Sequence, residues 1–182
     1  MSLSRLFDAP KNYFLKRTIF MIVKINRRNG LTVKRITEEA DLQAALKLAE
    51  DVFMQFEAPE FSKRGVESFL SFLWGKRVRE MFAEGSFAVW GCYAGKELAG
   101  MLALRDREHI SLAFVRSDFH RQGIGRMLYA AAKAEALSHG TKRITVNASD
   151  YGIPFYRKMG FRETDMRLLT DGILYTPMAA KI

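Results

Sequence analysis

The sequence predicts an α+β fold of three α/β/α layers, a mixed, mostly antiparallel sheet with helices on both faces. Three observations lead there. An apolar helical period covers residues 37–82, the period shortens to that of strands over residues 87–115, and an amphipathic helix then leads into a strand, a short helix and further strands.

Arg27-Arg28-Asn29-Gly30 reads as a turn before a first strand near Leu31. From Thr37 the pattern is helical. Glu38, Glu39 and Asp41 lie in the first turn, where the helix dipole favours negative charge, and Leu42, Leu46, Ala49, Phe53 and Phe56 share one face. Ala58-Pro59 breaks this helix and Ser62 can cap the next, whose stripe is Val66, Phe69, Leu70 and Leu73; residues 76–82 add a short third piece. Strands over 87–93, 98–104 and 109–115, joined by turns at 94–96 and 105–107, make an antiparallel meander. A helix over 124–139 follows, with Ile124, Leu128, Ala131, Ala134 and Leu137 on one face and Gly140 as its stop. A strand over 143–148, a short helix over 154–159 and strands near 161–166 and 173–177 complete the order.

The 182 residues suit one domain with an ordinary core, 48% of them being hydrophobic. The single cysteine, Cys92, excludes a disulfide within the chain and reads as a small buried hydrophobe. No apolar run approaches the roughly 18 residues a membrane-spanning helix needs, and the expectation is a soluble cytoplasmic protein without membrane partners. The net charge of +9 is uneven. Residues 1–30 hold seven basic residues against Asp8, a net of +6, which leaves +3 for residues 31–182. The chain is therefore divided into a basic N-terminal extension, 1–30, and one mildly basic domain, 31–182.

The most informative segment runs from Val115 through His120-Arg121-Gln122-Gly123-Ile124-Gly125-Arg126 to Leu128: a strand end, a loop, two close glycines and a helix start. The first N–H groups of a helix lack intrahelical partners and carry partial positive charge, so a diphosphate docked there satisfies both. Gly123 and Gly125 permit close approach, and Arg121 and Arg126 add charge. No Lys-Ser or Lys-Thr follows, and Leu128 stands where a dinucleotide fingerprint has its third glycine, which disfavours both commoner glycine loops.

The stretch 112–128 resembles the acyl-CoA signature of the GNAT acetyltransferases, Gln or Arg, two residues, Gly, one residue, then Gly or Ala, with His120 in the leading position. Phe155-Tyr156-Arg157-Lys158-Met159-Gly160-Phe161 resembles the family's C-terminal half-motif. The resemblance spans about residues 31–178 and implies a GNAT-like fold and acetyl-CoA as donor. It implies that Gln122, Gly123, Ile124, Gly125 and Arg126, beside His120 and Arg121, hold the diphosphate. Phe114 and Val115 would bond the pantetheine arm through their backbones, with Asn147 of the neighbouring strand also at the cofactor, the arm entering where the two strands splay. It also implies Tyr156 as general acid for the departing thiolate, and no metal.

An amine acceptor with a pKa of about 10.4 must lose a proton before it attacks a thioester. By position His109 is the candidate base, six residues before Val115, where some family members carry a glutamate; Glu108 and bulk water compete. By analogy the acceptor enters past Gln55-Phe56-Glu57-Ala58-Pro59-Glu60-Phe61, where Glu57 and Glu60 could attract a cationic amine. The expected activity is N-acetyl transfer from acetyl-CoA to a primary amine, on a small molecule or a protein, by direct attack in a ternary complex. A non-catalytic acyl-CoA-binding or nucleic-acid-binding module is the alternative. Tyr156 disfavours a mere sensor, and the lack of a recognition motif disfavours nucleic acid. Acyl-chain preference and a homodimer stay open.

Overall fold

The computed structural model describes residues 30–182, so the basic extension apart from Gly30 lies outside the described residues. The elements are β1 (Leu31–Ile36), α1 (Glu39–Phe56), α2 (Lys63–Trp74), α3 (Lys76–Ala83), β2 (Phe87–Ala94), β3 (Glu97–Arg105), β4 (His109–Val115), α4 (Ile124–Ser138), β5 (Arg143–Ala148), α5 (Ile153–Lys158), β6 (Arg162–Glu163), β7 (Leu168–Thr170) and β8 (Ile173–Lys181). The sheet order is β1-β2-β3-β4-β5-β8-β6, with β7 also on β8. Only β4–β5 is parallel; every other pairing is antiparallel, as the predicted fold class requires. No described helix is long and apolar enough to cross a membrane.

Both faces of the central strands are buried. Ala88, Trp90, Leu102 and Leu104 join the core beneath α4 and α5, whereas Phe87, Val89, Met101 and Ala103 join the core beneath α1 to α3. That is why β2 and β3 read as apolar runs rather than as clean alternation. Cys92 is fully buried, its thiol pushed up to about 11 by burial. Helix α1 buries Leu42, Leu46, Ala49 and Phe53 as its period predicts, and the Ser62 hydroxyl accepts the Gly65 N–H at 3.1 Å to cap α2.

Helix α4 departs from the expected stripe: Leu137 is 47% exposed, and the buried row runs Ile124, Leu128, Ala132 and Ala136. Successive steps of four follow one ridge of a helix surface, and the alanines let that ridge lie close on the sheet. The terminal strands differ too. Residues 161–166 contribute only the two-residue β6, while β8 runs on to Lys181 and pairs with an unforeseen β7. Asp171 and Gly172 join β7 to β8 with φ of 51° and 80°, the left-handed pair that a tight hairpin turn uses.

Two irregularities position the site. Leu104 faces Ile110 and Ala103 faces Leu112, so Ser111 is the extra residue of a β-bulge in β4. One inserted residue exchanges the faces of a strand: Ile110 packs on the α4 side, and Leu112 and Phe114 on the α1 side. The second is a splay, since β4 and β5 pair only at His109↔Thr145 and Ile110↔Val146. Beyond that point β5 stays with β8 as far as Ala148↔Thr176.

Candidate active site

The splay opens a cleft of about 1440 Å³ that passes between β4 and β5, bounded by α4 and α5 on one side and by α1, α2 and β8 on the other. That exceeds the roughly 300–1,000 Å³ of an ordinary small-molecule pocket.

On the α4 side, Gly123 is the residue before the helix and has φ of 86°. A Cβ there would meet nothing within 4 Å, so glycine serves the backbone angle, and the space over the turn is open. Gly125 has a different task. Its missing Cβ makes room for Phe155, whose ring lies 2.8 Å from where that atom would be, so the second glycine also lets α4 pack on α5. Arg121, Gln122 and Arg126 are exposed around the helix start, and Ile124 is buried as its anchor. His120 also lines the cleft. Its Nε2 lies 2.8 Å from the Val115 carbonyl oxygen and its ring 5.4 Å from that of Phe56.

The free edge of β4 also differs from expectation. The Arg116 N–H bonds to the Ala99 carbonyl on β3 at 3.0 Å, and strand alternation therefore turns the backbone groups of Phe114 to β3 as well. Phe114 is consequently occupied in the ladder, and Ala113 presents its N–H and C=O groups and Val115 its N–H to the splay, the Val115 carbonyl being engaged by His120. Across from them, the Thr145 N–H reaches the Glu108 carbonyl at 2.8 Å, so Asn147, two residues on, directs its backbone into the same opening. Ser111 was missed by the sequence reading. Its hydroxyl is the one buried side-chain polar atom without a hydrogen bond among the described residues, and it lines the cleft. A serine inside the apolar run Ile110-Ser111-Leu112-Ala113-Phe114-Val115 was the available signal.

Tyr156 on α5 is 7% exposed and lines the cleft, held edge-on by Phe155 at 5.1 Å and Phe161 at 5.4 Å. Burial, then the nearby Glu57 carboxylate, pushes its phenol above the ordinary range, and it stays protonated at neutral pH. Glu57 follows α1, where its N–H bonds to the Phe53 carbonyl at 2.9 Å and fixes the turn. Burial raises the Glu57 carboxyl; the Ser149 hydroxyl beside it acts in the opposite direction, and the Glu60 charge adds to the rise. Glu60 itself is exposed and borders a side cavity of about 20 Å³ with Arg167 and Tyr151 rather than the main cleft.

His109 lines the cleft before the splay, its Nδ1 2.9 Å from the Thr145 hydroxyl. Burial, then Arg105, lowers its imidazole to about 4, against which Asp106 acts, so the ring is neutral at pH 7 and a weak proton acceptor. Among the described residues no group of three or more acidic, histidine or cysteine side chains could hold a metal ion.

Solved structures share this architecture. A GCN5-related N-acetyltransferase from Rhodopseudomonas palustris superposes with a TM-score of 0.70 at 19% identity, over 82% of this chain and 94% of that one. PaiA N-acetyltransferase from Thermoplasma acidophilum, in complex with coenzyme A, gives 0.68 at 16% identity, over 82% of this chain and 99% of that one. An acetyltransferase of the GNAT family from Staphylococcus aureus Mu50 gives 0.64 at 11% identity, over 83% and 98%. These likenesses show the fold. Residues 57–182, which include the splay, both glycines, Glu57 and Tyr156, match the family described as acetyltransferase (GNAT) domain, and the chain belongs to that family.

Proposed function

We propose that this protein transfers the acetyl group of acetyl-CoA to a primary amine by direct attack within a ternary complex. The observation that carries the reading is the placement of a protonated phenol, Tyr156, and a half-buried carboxylate, Glu57, on one cleft beside an unpaired strand edge.

The open left-handed turn at Gly123 and the start of α4 suit a diphosphate, with Arg121 and Arg126 adding charge. Ala113, Val115 and Asn147 suit the amides of a pantetheine arm laid along the splay as an added strand. The PaiA relative, solved with coenzyme A, is consistent with such a donor. Donor and acceptor then meet near Ser149 and Tyr156.

In this reading Glu57 replaces His109 as the proton acceptor. A cationic amine is drawn to the Glu57 carboxylate and gives it a proton, the amine nitrogen forms a bond to the acetyl carbon, and the carbon–sulfur bond breaks. Tyr156 donates its proton to the departing sulfur and takes back the second proton that the nitrogen loses as the amide forms, while Glu57 releases its own to solvent. Once Glu57 is neutral, the charge that helps to hold the Tyr156 proton in place is gone, so the acid becomes stronger at the step that needs it.

Calorimetric titration with acetyl-CoA, free CoA and ATP, coupled to thiol release across a panel of amines, tests the proposal. Micromolar acetyl-CoA binding that Gly123→Trp abolishes, with thiol release for at least one amine, is the expected result. No binding of acetyl-CoA would overturn it.

A further inference from the structure

We propose that the acceptor is a small, free monoamine carried on a compact aromatic or branched apolar group; this rests on the acetyl-transfer reading and narrows its substrate. Three independent features of the acceptor half of the cleft lead to that class.

The first is its wall. Phe61 lies 5.5 Å from Phe53, Phe53 stacks on Phe69 at 3.9 Å and 20°, and Phe69 meets Phe114 edge-on at 6.0 Å. This row of rings runs from the loop after α1 to β4 at the splay. Phe61 and Phe69 are only partly buried and line the cleft, with Ile173, Leu174 and Tyr175 of β8 lining it as well. Apolar surface left open inside a cleft is what an apolar ligand group would cover.

The second is the charge. Two acidic side chains line the cleft, Glu57 and Asp171. Asp171 is exposed and paired with Arg64 at 3.0 Å, whereas Glu57 has no salt-bridge partner among the described residues. One unpaired carboxylate suits one ammonium group. A diamine or polyamine would bring a second cation onto aromatic surface, where no anion meets it and its desolvation is uncompensated.

The third is the tie between the two walls. The turn of the β7–β8 hairpin is seated on the start of α2: the Ser68 hydroxyl donates to the Asp171 carbonyl at 2.8 Å, and the Ser62 hydroxyl to the Gly172 carbonyl at 3.3 Å. A Cβ on Gly65 would sit 2.2 Å from the Gly172 oxygen, so the two backbones touch. With α2 and the hairpin joined, the acceptor is held between walls rather than laid across an open face, which favours a free small molecule over a lysine on a folded protein.

The test is steady-state thiol release by the full chain with acetyl-CoA and, separately, 2-phenylethylamine, 3-methylbutylamine, 1,4-diaminobutane and a lysine-containing peptide. The two apolar monoamines are expected to exceed the diamine and the peptide at least about tenfold in kcat/KM, the scale of discrimination an apolar pocket provides. Phe69→Leu should raise KM for 2-phenylethylamine severalfold while acetyl-CoA affinity is kept. If the diamine or the peptide is turned over as well as or better than the monoamines, the acceptor class is wrong and acetyl transfer stands. Acetyl-CoA binding without thiol release for any of the four overturns the acceptor class, and silence across the wider amine panel overturns acetyl transfer as well.

Discussion

Glu57 and Tyr156 come from opposite ends of the domain, one after α1 and one on α5, and the carboxylate of the first helps to raise the phenol of the second. Burial raises each of them, so the resting site holds Tyr156 protonated and Glu57 ready to take a proton more readily than a surface glutamate. In the proposed mechanism, proton uptake by Glu57 removes the charge that helps to hold the Tyr156 proton.

The Glu57 shift fixes the sign of two observables. The carboxyl must be ionised to accept a proton, so kcat/KM should rise with pH through an inflection above the ordinary 4.5, and Glu57→Gln should remove that inflection together with most turnover. A folded-state pKa above the unfolded one means that Glu57 favours folding below its ordinary pKa and loses that contribution as pH rises through the folded value. At pH 7 the ionised group therefore costs stability. Glu57→Gln should raise Tm, and a lowered Tm with an unchanged pH profile would remove Glu57 from the proton path.

Tyr156→Phe keeps the ring that packs between Phe155 and Phe161 and removes only the hydroxyl. Turnover should fall by about 10² to 10⁴ while the Kd for acetyl-CoA and Tm stay near those of the parent. Turnover within a factor of two of the parent would show that sulfur leaves without this phenol.

The fold was legible because β2 to β4, α1 and α4 each repeat a period that packing enforces. The glycine turn was legible because a left-handed residue before a helix needs a particular amino acid: Gly123 has φ of 86°. What escaped was set by register. Phe114 is adjacent to Val115 in sequence, yet alternation along β4 points their backbones in opposite directions, and the bulge at Ser111 changes which side faces outward. The contact of Gly125 with Phe155 could not be read from the glycine turn, because its partner is thirty positions away. Glu57 could be placed near an amine but not near Tyr156, because no local pattern joins the end of α1 to α5. The Asp171-Gly172 turn was there to be read as a hairpin.

His109 offers a test on stability rather than activity. Its imidazole is lowered from 6.5 to about 4 in the folded chain, so the folded state favours the neutral ring. That contribution is present above pH 6.5 and is lost as pH falls toward about 4. Thermal melts between pH 7 and pH 4 should show a decline that His109→Asn flattens. An unchanged slope in the variant would place the acid sensitivity elsewhere.

The two glycines of the turn should fail in different ways, since one serves an angle and the other a contact. At Gly123 an alanine has open space but must adopt a left-handed backbone, a strain of about 1–2 kcal/mol that should appear as a lower Tm and weaker acetyl-CoA binding. At Gly125 the helix accepts alanine, but the new Cβ would lie 2.8 Å from the Phe155 ring, and Phe155 abuts Tyr156. Displacement of α5 then moves the phenol, so Gly125→Ala should lower kcat more than it weakens acetyl-CoA. Replacing Phe155 by the smaller leucine in the same chain should restore most of kcat if contact with that ring is the cause. A double variant as slow as Gly125→Ala alone would instead place the second glycine at the diphosphate, as the sequence first suggested.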